Sequence, residues 1–164
     1  MELTMNTLIL GMGNPILSDD GVGLALSAML RNKIRGADVA ASAMIGLSLF
    51  DLITGYDTIF IVDAMTTRGG KVGEWKKIGA DDRCGTLHLF SSHGLNIFEL
   101  MELGVRCGLE MPRLAAVYGV EIGDEVAFDE SLSPEIYERL PTIAEEITAD
   151  MMTLLPSLSA SIPA

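Results

Sequence analysis

The sequence predicts an α/β fold: a doubly wound, three-layer α/β/α domain around a five-stranded mixed sheet with one antiparallel strand. Three observations carry this expectation. Thr7-Leu8-Ile9-Leu10 is a short apolar run closed by Gly11, the pattern of a central parallel strand buried on both faces. Thr58-Ile59-Phe60-Ile61-Val62 is β-branched and aromatic, and Asp63 follows it at once, so it reads as a second such strand. The order strand, helix, strand, helix, strand then calls for right-handed crossovers that place helices on both faces of the sheet.

Each element follows from its local pattern. Val22 to Leu30 is rich in apolar residues and is followed by Arg31, Asn32 and Lys33, which suits a helix with basic residues near its C-terminal end. Asp38 to Ala43 is a weaker second strand rich in Ala and Ser, and Ser48 to Ile53 is a short helix that stops before Gly55. After the strand at Thr58, Arg68-Gly69-Gly70-Lys71 marks a turn, and Val72 to Ile78 returns as a fourth strand. That connection is too short for a crossover helix, so the fourth strand should run antiparallel to the third.

Gly79 to Ser92 reads as an irregular loop, and Leu95 to Val105 as an amphipathic helix. Arg113 to Val120 supplies the fifth strand, and Glu121 to Ser131 an acidic loop. Ser133-Pro134-Glu135 has the form of an N-cap, a first-turn proline and an acidic first turn, opening a helix that runs to about Leu155. Pro141 should kink or interrupt it. Residues 1–155 are therefore expected to form one domain, with a flexible tail from Pro156 to Ala164.

Composition narrows the function. The 164 residues carry 11 Lys and Arg against 23 Asp and Glu, a formal charge of −12. Phosphate backbones are bound through basic side chains, so nucleic acid is not an expected partner. Cys84 and Cys107 form neither a metal knuckle nor a disulfide framework. No secretory leader and no apolar stretch near the roughly 20 residues needed to span a bilayer is present. A cytoplasmic protein without membrane insertion is expected.

The chemistry concentrates at the strand ends. In an open doubly wound sheet, ligands bind outside the carboxyl ends of the strands, where the strand order reverses. Asp20 lies in the loop that leaves the first strand, and Asp63 ends the third. His93, beside Gly94, supplies an imidazole; His88 is its rival but sits in the apolar stretch Leu87-His88-Leu89-Phe90. Two carboxylates and an imidazole are hard oxygen and borderline nitrogen donors, which suit nickel or zinc with coordination positions left open. Each residue also has a plainer reading. Asp19 or Asp20 would serve as a helix cap, Asp63 would hold the turn at Thr66 and Thr67, and His93 would be an ordinary loop histidine.

Other chemistries fit less well. A dinucleotide fingerprint would need glycine at Ile16, and acids follow where a pyrophosphate would sit. Neither H-E-x-x-H nor G-x-S-x-G occurs.

The motifs Gly11-Met12-Gly13-Asn14 through Asp19-Asp20-Gly21-Val22-Gly23, Ile61-Val62-Asp63-Ala64 and Ser92-His93-Gly94-Leu95 resemble those of the hydrogenase maturation endopeptidases. Tyr118-Gly119-Val120-Glu121 and Leu132-Ser133-Pro134-Glu135 add to the likeness, which extends over nearly the whole chain. The resemblance implies an endopeptidase that removes the C-terminal extension of a nickel–iron hydrogenase large-subunit precursor after nickel insertion. It places the family's metal-binding and catalytic positions on Asp20, Asp63 and His93, with nickel supplied by the substrate, or zinc or another divalent cation in the isolated protein. The chain departs from the family at Ser42-Ala43-Met44-Ile45-Gly46, where relatives have a glycine-rich Gly-Thr or Gly-Ser stretch. A non-catalytic nickel-binding assembly module is the competing expectation.

Overall fold

A computed structural model describes residues 5–43, 46–78, 88–89, 97–124 and 127–159. Its sheet is built from β1 (Thr7–Met12), β2 (Ala37–Ser42), β3 (Thr58–Thr66), β4 (Trp75–Ile78), β5 (His88–Leu89) and β6 (Arg113–Glu121). The main path runs β2-β1-β3-β6-β4. β2, β1, β3 and β6 pair in parallel, and β4 pairs antiparallel with β6. That path is the expected five-stranded mixed sheet with one antiparallel strand, and the two-residue β5 pairs antiparallel with β3 off it.

Two details differ from expectation. β4 has the direction foreseen, but β6 lies between it and β3. The reason is burial: β6 carries Ala116, Val117, Tyr118 and Val120, all at most 1% exposed, whereas β4 presents Lys76 and Lys77 to solvent and suits an edge. In addition, His88 and Leu89, expected in an irregular loop, form β5 against Thr66 and Met65.

Among the described residues, four α-helices cover the sheet: α1 (Val22–Leu30), α2 (Phe50–Ile53), α3 (Ile97–Arg106) and α4 (Pro134–Ser159). Alternation along the strands sends Ile9, Phe60, Val62, Tyr118 and Val120 into one core with Leu26 and Leu30 of α1 and Ile136, Ile143 and Ile147 of α4. Leu8, Leu10, Ile59, Ile61 and Met65 enter the other core with Ile53 of α2 and Ile97 and Leu100 of α3. The layers are therefore those of a doubly wound domain. Helix α1 lies close on the sheet because Gly23 meets the Met12 and Val62 carbonyls, where any Cβ would collide with backbone.

Pro141 does not break α4, which continues as one helix past both Pro141 and Pro156. Pro141 is exposed, so water can satisfy the Tyr137 carbonyl that lost its helical donor. Buried side chains from Ile136 to Leu158 hold the helix to the core on both sides of it. For the same reason the helix extends into the segment expected to be a tail; Leu155 and Leu158 are each only 6% exposed. Among the described residues, no helix is long and apolar enough to cross a membrane.

Candidate active site

The site begins with the turn after β1. Gly13 has φ +152°, and a Cβ there would run into the Asp20 carbonyl, so the loop closes tightly only with glycine. Ser18 to Gly21 then form a single 3-10 turn that carries both acids. Neither acid caps α1, whose N-cap is Gly21 without a side-chain hydrogen bond. The Asp20 Oδ2 instead accepts the Asn14 N–H at 2.9 Å, which folds the loop back on itself. The Asp19 Oδ1 accepts the N–H of Ser133, just before α4, at 2.6 Å.

A second segment clamps this turn. Leu17 and Asp129 form a parallel bridge, in which Ser18 N–H donates to the Asp129 carbonyl at 2.7 Å and Asp129 N–H donates to the Ile16 carbonyl at 3.1 Å. The Ser18 hydroxyl donates to the Ser131 carbonyl at 3.0 Å. Ser18 has φ +46°, a conformation that costs a non-glycine residue about 1–2 kcal/mol. The bonds to residues 129 and 131 hold it there, two positions before Asp20.

Asp63 lies within β3, paired with Gly119 of β6, and is only 5% exposed. Strand alternation puts it on the face that Ile59, Ile61 and Met65 share with α2 and α3. Its Oδ1 accepts the N–H of the adjacent Ala64 at 2.8 Å. Burial pushes its pKa up to about 8; the Ala64 hydrogen bond works against this rise, and the nearby Asp20 carboxylate adds to it. The two acids, 43 positions apart in the chain, are thus electrostatic neighbours. The turn at Thr67 is held by a different acid: Glu121, 2% exposed, accepts the Thr67 N–H at 2.6 Å and the Thr67 hydroxyl at 2.7 Å.

His93 lies outside the described residues, and among the described residues no group of three metal-ligating side chains forms. The pair that is described nonetheless suits a cation. A buried carboxyl beside a second carboxylate is costly to ionise, and a divalent ion offsets both burial and mutual repulsion. Sequence reasoning finds both acids of the pair but misses Asp19, Asp129 and Ser133 as supports, because their bonds join segments more than 100 residues apart.

Solved structures that share the fold include the hydrogenase maturating endopeptidase HybD from E. coli, at TM-score 0.72 and 18% identity, covering 91% of this chain and 93% of that one. The [NiFe] hydrogenase maturation protease HycI from Thermococcus kodakarensis KOD1 aligns at TM-score 0.66 and 23% identity, covering 88% and 91%. The HybD maturation protease from Thermococcus kodakarensis aligns at 0.62 and 21%, covering 90% and 99%. No curated protein sequence matches. The profile of the family described as HycI, hydrogenase maturation protease, matches residues 42–150, a span that takes in Asp63, His93, the Glu121 strand end and most of α4. With that match over most of the chain and a fold shared with those solved structures, the protein belongs to the hydrogenase maturation protease family and is a protease.

Proposed function

We propose that this endopeptidase removes the C-terminal extension from the large-subunit precursor of a nickel–iron hydrogenase, acting after nickel has been inserted. The observation that carries the reading is the buried Asp63 carboxyl beside Asp20 at the split of the sheet, an acid pair suited to a cation. Asp20, Asp63 and His93 would hold the ion, with nickel arriving as part of the substrate. A bound divalent cation supplies Lewis acidity toward a peptide carbonyl. The chain's own residues bind and orient: the Asn14 N–H fixes one Asp20 oxygen, and the Ala64 N–H fixes one Asp63 oxygen. The other oxygen of each acid would serve the ion or a proton of the attacking water. The reaction belongs in the cytoplasm, without nucleic acid or membrane as partner.

The test uses nickel-loaded and nickel-free precursor incubated with the purified protein, followed by mass measurement of the subunit. Loss of a C-terminal peptide from the loaded form alone is expected. Asp20→Ala, Asp63→Ala and His93→Ala should each abolish that loss with the fold retained, as read by circular dichroism. Cleavage of both precursor forms would remove nickel sensing from the proposal, and tight binding with unchanged mass would replace processing with an assembly role.

A further inference from the structure

The segment that clamps the Asp20 turn also presents the most exposed aromatic side chain among the described residues. Phe128 is 87% exposed, and Ile16 is 49% exposed. Each lies one residue before the isolated Leu17–Asp129 bridge, Ile16 in a turn and Phe128 in a bend, and the bond from the Asp129 N–H to the Ile16 carbonyl brings the two backbones together. The Leu17 carbonyl at that bridge accepts the Asp20 N–H at 3.0 Å. The apolar pair therefore borders the candidate active site.

Its surroundings are acidic. Residues 11–30 and 121–138 contain no Lys or Arg. Asp124, Asp129 and Glu130 are exposed, and no ion pair neutralises them among the described residues. An aromatic side chain this exposed buries little of its surface within the monomer, and uncompensated acids around it favour a cationic partner.

Resting on the processing reading above, we propose that Ile16 and Phe128 form a docking site for the substrate's peptide, taking a bulky apolar side chain that lies beside Lys or Arg in the precursor. The aromatic face and Ile16 bury the apolar group, and Glu130 and Asp124 meet the basic one. Removing the Phe128 ring forfeits most of the apolar burial, an effect of about tenfold or more on binding.

The experiment measures steady-state cleavage of nickel-loaded large-subunit precursor by the full-length protein. Phe128→Ala should raise KM about tenfold with kcat within twofold, and Phe128→Leu should restore most of the loss. Glu130→Lys should raise KM and reduce the sensitivity of kcat/KM to NaCl. Unfolding midpoints should match that of the wild type, since both side chains are exposed. Wild-type cleavage with unchanged KM in Phe128→Ala would overturn the docking site and leave the processing reading intact. A fall in kcat at unchanged KM would also overturn it, pointing to a role in shaping the Asp20 turn. Failure of the wild-type protein to cut would instead sink the processing reading, and the docking proposal with it.

Discussion

Asp63 is a carboxyl kept buried at the expense of stability. Its carboxyl is protonated in the metal-free folded chain up to about pH 8, whereas an unfolded aspartate ionises near 3.8. With the folded pKa raised, the stability contribution is present in full below the unfolded pKa and is lost as pH rises toward 8. Every tenfold difference in proton affinity between the folded and unfolded chain corresponds to about 1.4 kcal/mol. Asp63→Asn, which has no charge to bury, should therefore gain stability relative to the wild type as pH rises from about 4 to 8, with the gap levelling above that. Urea unfolding of both proteins in the presence of a chelator would read this. A gap independent of pH would mean that Asp63 is ionised throughout. Metal binding below pH 8 should likewise release a proton, detectable by calorimetry in buffers of different ionisation enthalpy.

The same residue marks what a sequence can disclose. Asp63 is legible because a β-branched and aromatic run leads straight into it, although β3 continues past it to Thr66 instead of ending there. Asp19 is not: its partner Ser133 is 114 positions away, and an acid before a helix reads as a cap. The turn at Thr67 makes the same point, since Glu121 rather than Asp63 holds it.

Among the elements, α1 is legible to the residue because its signals are local: a glycine-rich entry, an apolar stripe and a polar exit. For β4 the sequence discloses direction but not neighbour. Turn length sets direction, whereas which strand takes the inner place is decided by burial across the whole sheet. Helix α4 exposes a limit of local rules of another kind. Pro141 removes one helical hydrogen bond yet stays in place, since α4 packs on α1 and the sheet along most of its length. The penalty is retained in the native state. Pro141→Ala should raise stability by about 1–3 kcal/mol by restoring that bond and relieving the clash with the preceding turn. Chemical denaturation would measure it; a loss of stability would show that the proline's restriction of the unfolded chain outweighs the missing bond.

Against the charge of −12 stand few local attractions among the described residues. The described ion pairs, Lys71–Glu74, Lys77–Asp150 and Arg106–Glu102, lie near the surface and contribute little. Self-repulsion should dominate the response to salt. Raising NaCl from about 0.05 to 0.5 M, which shortens the Debye length several-fold, is expected to raise the thermal midpoint. A falling midpoint would show that attractive pairs outweigh repulsion.

The clamp joining the Asp20 turn to residues 129–133 has a bearing on biosynthesis. A ribosome exports the turn early, but its tethers emerge only after most of the polypeptide has been translated. Until then Ser18 lacks the bonds to residues 129 and 131 that hold its left-handed backbone, and Asp19 lacks its bond to Ser133. The turn therefore settles only once the tethering segment is out, and the proposed processing activity would wait on the same event.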